Sequence, residues 1–247
     1  MVFIRTDILS VEFDNLTLGE AVDIAMENMI DGTKCRVVTP NAEIGLDCIK
    51  NDSLRRLVND SQLVLPDGIG VVYASRILKR PIKQKVAGFE FADALANRLQ
   101  NTGKKLFLFG GKPGIADEAA KKLCEKYPGL EIAGTENGYY DDENKIIEKI
   151  NSSGADALFV CLGCPKQEFF MQRNREILNV SLMAGLGGSL DVFSGNSQRA
   201  PKLFIDLGLE WFYRLIKEPK RIKRMARLPL YLVYAAASKD KGEKNNA

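Results

Sequence analysis

KLFLFGGKPGIADEAAKKLCEKY, residues 105–127, holds the pattern from which the fold can be read. Lys105–Phe109 is a short apolar, aromatic-rich run of the kind that forms a buried strand. Gly110-Gly111-Lys112-Pro113-Gly114 follows as a turn, and Ile115–Tyr127 continues with helical spacing. The same unit recurs along the chain. Strands are expected at Cys35–Thr39, Gln62–Leu65, Leu130–Ala133, Ala157–Cys161 and Val180–Ala184. Helices are expected at Leu18–Ile30, Ile69–Leu78, Phe89–Gln100, Asp142–Ile150 and Pro165–Leu178. Thr17-Leu-Gly-Glu20 has the spacing of a capping box at the first helix. This alternation predicts an α/β fold with a Rossmann-like, mostly parallel sheet and helices on both faces.

The bulk composition is that of a globular protein: 247 residues, 45% hydrophobic and 27% charged. No apolar run reaches the roughly 18 residues of a membrane span. The first residues lack the pattern of a signal peptide, so a cytoplasmic location is expected. Charge is divided unevenly. Residues 201–247 carry 11 Lys+Arg and 5 Asp+Glu, a net of +6; the whole chain is +3, so residues 1–200 sum to −3. We read residues 1–200 as an α/β body and residues 201–247 as a basic helical appendage whose polar end, 238–247, is expected to be disordered.

The chain contains no histidine. That removes Ser-His-Asp and Cys-His nucleophile systems, histidine metal sites and any histidine base. A carboxylate is then the expected general base, with Arg, Lys or backbone N–H groups as electrophilic help. Five cysteines make no disulfide framework. Cys161 and Cys164 form a C-x-x-C, but a zinc site would need a second pair or histidines, so a metal or redox pair is the lesser reading.

Ligands of open parallel sheets bind beyond the carboxyl ends of the strands. Six segments occupy that position here. Thr39-Pro40-Asn41 supplies a hydroxyl and an amide, and Asn41 is equally suited to cap the next helix. Pro66-Asp67-Gly68 presents a carboxylate; aspartate before a helix is commonly a cap, but Asp67 sits at a strand end in a chain without histidine. Gly110, Gly111 and Lys112 offer N–H groups at a helix start, with neither a P-loop nor a G-x-G-x-x-G pattern. Tyr139 follows the fourth strand and can stack or pack. Pro165, Lys166 and Gln167 follow the fifth, where Lys and Gln suit a phosphate or a sugar and Glu168 suits the first helical turn. Gly187 and Gly188 follow the sixth. Six such segments on one sheet edge predict a large, polar, phosphate-bearing ligand, which a sugar nucleotide satisfies.

Taken in order, these segments resemble the WecG/TagA/CpsF glycosyltransferases. The resemblance rests on Thr-Pro-Asn (39–41), Pro-Asp-Gly (66–68), Ala-Gly-Phe-Glu (87–90), Phe-Gly-Gly-Lys-Pro-Gly (109–114) and Gly-Tyr-Tyr (138–140). Gly-Cys-Pro-Lys-Gln-Glu (163–168), Gly-Leu-Gly-Gly-Ser-Leu-Asp (185–191), Gln-Arg-Ala-Pro (198–201) and Leu-Glu-Trp-Phe-Tyr-Arg-Leu (209–215) extend it over about residues 4–227. It implies an inverting, metal-independent transfer from a UDP-sugar to an undecaprenyl-diphosphate-linked sugar at the inner face of the bacterial membrane, with no cofactor. The TagA branch moves N-acetylmannosamine from UDP-ManNAc to the C4-OH of undecaprenyl-diphosphate-GlcNAc in teichoic-acid synthesis. By the same resemblance Asp67 is the catalytic base, and Thr39, Asn41, Gln167 and Arg214 complete the catalytic set. Phe89-Glu90 stands where a Ser-Asp pair is frequent, so Glu90 bears on donor or acceptor preference; Cys164 replaces a small residue such as Ser.

The tail has a mechanism of its own to offer. Nine basic and three acidic residues lie between Arg199 and Arg227, interleaved with Trp211, Phe212, Tyr213, Leu215, Ile216, Ile222 and Met225. Arg214, Arg221 and Arg224 would share one face of a continuous helix, although Pro219 predicts a break. A helical cap with solvated charges is one reading. The sharper one is an interfacial helix pair that meets anionic lipid, adds Arg221 and Arg224 to the substrate contacts and brings Arg214 over the active site. A nicotinamide dehydrogenase would need a glycine fingerprint and acidic partner that are missing. A non-catalytic nucleotide-sugar-binding adaptor would not need Asp67. Nucleic-acid binding is disfavoured by the acidic body and the apolar tail. A homo-oligomer is left open, as is a UDP-sugar other than ManNAc, such as ManNAcA or glucose.

Overall fold

A computed structural model describes residues 5–217 and 227–244. Eight strands and twelve helices follow one another among these residues. A hairpin, β1 (Arg5–Ile8) and β2 (Val11–Asp14), opens the chain and leads to α1 (Leu18–Ile30). Next come β3 (Cys35–Val38), α2 (Ala42–Lys50), α3 (Asp52–Asn59), β4 (Leu63–Val64), α4 (Ile69–Ile77) and α5 (Gly88–Leu99). The second half runs β5 (Lys105–Gly110), α6 (Ile115–Lys126), β6 (Glu131–Glu136), α7 (Glu143–Ser152), β7 (Ala157–Cys161), α8 (Lys166–Arg173), β8 (Leu182–Gly185) and α9 (Ser189–Phe193). The tail adds α10 (Lys202–Asp206), α11 (Glu210–Lys217) and α12 (Arg227–Lys244).

Strands β3 to β8 form one six-stranded sheet in the order β4-β3-β8-β7-β5-β6, with every pair parallel. Because side chains alternate across a strand, each strand feeds two cores. Val38, Val64, Phe107, Phe109, Leu158, Val160 and Met183 point to one face, against α2, α3, α4, α7 and α8. Val37, Leu63, Leu65, Leu106, Leu108, Phe159 and Ala184 point to the other, against α1, α5, α6 and α9. The predicted α/β class and parallel sheet are what the chain adopts. Adjacent strands β5 and β7 send their following helices, α6 and α8, to opposite faces, which opens a crevice at their carboxyl ends.

Local signals account for several boundaries. The capping box forms: Glu20 N–H donates to Thr17 Oγ1 at 3.3 Å, and Thr17 N–H donates to Glu20 Oε2 at 2.7 Å. Asp142 caps α7. The helix expected over Pro165–Leu178 ends at Arg173, where Asn174 turns the chain back, its N–H and Nδ2 both donating to the Phe170 carbonyl.

The β1–β2 hairpin was not anticipated. It packs beside the edge strand β4, and the buried Asp14 carboxylate accepts the Val64 N–H at 2.7 Å while Arg5 Nε holds it at 3.2 Å. Burial pushes the Asp14 pKa up, and these two bonds oppose that shift.

Helix α12 packs into the body. Tyr231 and Ala235 are fully buried in the core on the α2–α4 face. Two glycines make room for it. A Cβ on Gly45 of α2 would lie 2.7 Å from the Tyr231 ring, and one on Gly70 of α4 would run into Leu228. Arg227 pairs with Asp47 and lies 3.6 Å from Glu43, both on α2.

Candidate active site

The carboxyl edge of the sheet holds two adjoining regions. The first lies where β3, β4 and β8 end. Thr39 is buried, and its hydroxyl donates to the Gly185 carbonyl at 3.0 Å, which ties the end of β3 to the end of β8. Asn41 caps α2, its Oδ1 accepting from Glu43 N–H at 3.0 Å and Ile44 N–H at 3.1 Å. The cap reading of Asn41 is therefore realised, through its Oδ1 alone.

Asp67 is half-buried, and its N–H donates to the Pro40 carbonyl at 3.2 Å. The cap of α4 is Gly68, with φ of 87° and no side-chain cap bond. A left-handed turn of that kind favours glycine. Asp67 therefore precedes the cap position, and Gly68 lies beside Asn41: a Cβ on Gly68 would be 3.8 Å from Asn41 Cβ. Gly88 closes the region from α5, since a Cβ there would be 2.9 Å from Thr39 Oγ1. Gln167 enters from α8, buried, and its Oε1 accepts the Gly187 N–H at 3.0 Å. Thr39 and Gln167 thus both hold the exit of β8, at Gly185 and Gly187, while Asp67 and Gly68 lie against the Pro40-Asn41 exit of β3; Gly188 is exposed.

The second region is a cleft of about 780 Å³ at the ends of β5, β6 and β7. Gly111, Lys112, Tyr139, Lys166, Asp141 and Asp191 are among its lining residues. Gly110 supports its floor, with φ of 134°; a Cβ there would collide with the Cys161 carbonyl. Lys166 Nζ donates to the Gly138 carbonyl at 3.1 Å and sits 4.3 Å from the centre of the Tyr140 ring. Tyr139 is 69% exposed, free of the packing that would otherwise explain it. Pro165, at the mouth of α8, follows a cis peptide bond. The two regions meet at α8, where Lys166 serves the cleft and Gln167 the buried crevice.

Three further expectations have different outcomes. Glu90, on the first turn of α5, is half-buried and paired with Arg199, with Lys85 Nζ 4.0 Å away; the Arg199 guanidinium lies 4.8 Å from the Phe89 ring centre. Any ligand contact by Glu90 must therefore compete with Arg199. Arg214 lies on α11, while Arg221 and Arg224 fall outside the described residues. The C-x-x-C does not behave as a thiolate pair: burial pushes the Cys161 thiol up to about 12 and the Cys164 thiol up as well. Among the described residues no group of three or more Cys, Asp or Glu is placed to hold a metal ion.

Sequence reasoning passed over Asp141 and Asp191, which line the cleft, and placed neither Arg199 against Glu90 nor Glu168 inside the fold. Asp191 had a signal, since it closes the Gly185–Asp191 segment after β8. Arg199 had one in its motif. Glu168 looked like a helix-dipole residue, yet it is 2% exposed. Burial raises its pKa, and the bond from Gln167 opposes that shift.

Fold and site together define a parallel α/β protein with short polar groups beside a lysine-flanked cleft at the carboxyl edge of its sheet, where open α/β enzymes bind their ligands. The chain belongs to the WecG/TagA/CpsF glycosyl transferase family, whose sequence model matches residues 6–245. It is 38% identical over 196 residues to the N-acetylglucosaminyldiphosphoundecaprenol N-acetyl-beta-D-mannosaminyltransferase of Bacillus spizizenii, covering 79% of this chain and 76% of that one. It is similar to two proteins of the same name, at 37% over 223 residues in Bacillus subtilis and 32% over 243 residues in Staphylococcus aureus. Those alignments cover 90% and 97% of this chain and 87% and 95% of the relatives.

Proposed function

We propose that the protein transfers N-acetylmannosamine from UDP-ManNAc to the C4 hydroxyl of undecaprenyl-diphosphate-GlcNAc, with inversion and without a metal. The observation that supports this reading is that a carboxylate, Asp67, and a cleft of about 780 Å³ lined by Lys112 and Lys166 lie at the same carboxyl edge of the parallel sheet. A sugar hydroxyl is a poor nucleophile until its proton is removed. In this reading the O4 proton passes to the Asp67 carboxylate as O4 bonds to C1 of the donor sugar. The C1–O bond to UDP breaks on the opposite side, and its electron pair stays on the diphosphate. Thr39, Asn41 and Gln167 orient the sugars. Lysine side chains and the N–H groups after Gly110 take up the developing charge, with Arg214 arriving from the tail. The sequence has no Asp-x-Asp pair to seat a divalent ion in the manner of many sugar-nucleotide enzymes.

The acceptor implies a membrane. No helix among the described residues is long and apolar enough to cross one. Leu203, Leu207, Phe212 and Ile216 are exposed on α10, its C-terminal turn and α11, among basic residues, which suits peripheral binding to an anionic cytoplasmic leaflet. The decisive experiment offers several UDP-sugars with a GlcNAc-diphosphate-lipid analogue. UDP release is expected with UDP-ManNAc, unchanged by EDTA. Release with UDP-ManNAcA or UDP-glucose alone would reassign the donor, and activity lost to EDTA and restored by Mg²⁺ would overturn the metal-free mechanism.

A further inference from the structure

Glu168 is a carboxylate that the fold has no need to bury. It stands on the first turn of α8 and is 2% exposed; its Oε2 has no hydrogen-bond partner, and the Cys164 thiol lies beside it. A buried carboxyl with an unsatisfied oxygen destabilises a fold relative to an apolar side chain of equal size. Its other oxygen is engaged. Glu168 Oε1 accepts from Gln167 Nε2 at 2.9 Å, and Gln167 Oε1 accepts from the Gly187 N–H at 3.0 Å.

These two bonds fix an amide that shape alone cannot orient. The two ends of a carboxamide are nearly alike in size. Turned over, Gln167 would set its NH₂ against the Gly187 N–H and its oxygen against the Glu168 carboxyl. Gly185 lets the amide lie flat on the strand: a Cβ there would be 3.0 Å from Gln167 Nε2 and 2.8 Å from Met171 Cε. Thr39 grips the same strand end through the Gly185 carbonyl. The Gly185–Gly188 exit is therefore clamped on both sides, and one jaw is set by Glu168.

We propose that Glu168 is a positioning residue that acts through Gln167 to hold the Gly187–Gly188 exit in the arrangement that meets the donor sugar. This rests on the reading that Gln167 and the glycine exit face the substrates. Since its function is to accept a bond, an acceptor of the same shape should replace it.

The test compares Glu168→Gln, Glu168→Met, Gln167→Met and the double variant Gln167→Met/Glu168→Met in the full chain, by steady-state kinetics with the lipid-acceptor analogue and by thermal unfolding. Glu168→Gln is expected to stay within about threefold of wild-type kcat. Glu168→Met is expected to lose at least tenfold in kcat, with little change in donor KM and no loss of melting temperature. The double variant should be no slower than Gln167→Met, because both changes break one relay. Wild-type kcat in Glu168→Met alongside an impaired Gln167→Met would overturn the proposal. So would equal losses in Glu168→Gln and Glu168→Met, or a double variant slower than Gln167→Met by the full Glu168→Met factor. If Glu168→Met does not fold, Glu168→Gln decides beside Gln167→Met: a loss of tenfold or more in Glu168→Gln with an unchanged melting temperature would overturn the proposal. Absence of transfer by the wild-type protein with every UDP-sugar would instead refute the functional reading, and wild-type activity in Gln167→Met would refute both.

Discussion

The two regions of the sheet edge are built from opposite materials. The cleft after β5, β6 and β7 presents long, exposed side chains, Lys112, Tyr139 and Lys166, over a glycine floor. The crevice after β3, β4 and β8 presents short or buried groups, Thr39, Asn41, Asp67 and Gln167, most already committed to hydrogen bonds. Long exposed cations suit a charged, partly hydrated ligand. Short groups held by the backbone suit a step in which geometry decides the rate. Binding and chemistry are thus expected to separate along the sheet.

The sharpest way to break that comparison is Asp67→Asn. Turnover is expected to fall at least about 100-fold, roughly 2.7 kcal/mol in barrier, with donor affinity and melting temperature unchanged; a fall of less than tenfold would remove Asp67 from the role of base. Gly110→Ala should act on the cleft instead. It forces a Cβ onto the Cys161 carbonyl at φ of 134°, and a loss of about 2–4 kcal/mol in denaturant unfolding is expected, together with donor binding.

Tyr231→Ala tests the other region from behind. Helix α12 sits on α2 and α4, the helices that begin beside Asn41 and at Gly68. Losing that anchor should cost about 3–5 kcal/mol and lower kcat more than it weakens UDP binding; the reverse order would merge the two regions into one. Lys112→Ala with Lys166→Ala should raise donor KM about tenfold, or about 1.4 kcal/mol, leave kcat nearly intact, and flatten the salt dependence of binding.

The smallest effect is on pH. Glu168 has a raised pKa in the fold, chiefly from burial. Folded protein therefore keeps a proton that the unfolded chain has released above its ordinary value, and stability declines as pH rises through the folded value. Glu168→Gln should match wild type in acid and melt higher near neutrality.

The sheet was legible in the sequence because a buried parallel strand is an apolar run with a turn at its end, and β5, β7 and β8 show this plainly. Strand β4 was legible mainly from its exit, Pro66-Asp67-Gly68, since only two residues pair. The β1–β2 hairpin was not, because Arg5 and Asp14 read as surface charges until each finds its partner across the chain. The site was legible where position after a strand was enough, as for Thr39, Asn41, Asp67, Lys112 and Lys166. Position could not reveal that Arg199 occupies Glu90, nor that Glu168 turns inward. Those facts depend on packing between segments 109 residues apart or on the burial of one helical face. For the same reason composition marked the tail as basic but not that Tyr231 belongs to the core.

The Asp14–Val64 bond has a consequence beyond stability. An edge strand offers a row of free amides on which a foreign strand can build. Here that edge is two residues long, and the carboxylate of Asp14 takes the outward amide of Val64. The strand that delivers Asp67 is therefore closed to β-augmentation, whether by a peptide, by a misfolded neighbour or by another copy of the chain at this edge.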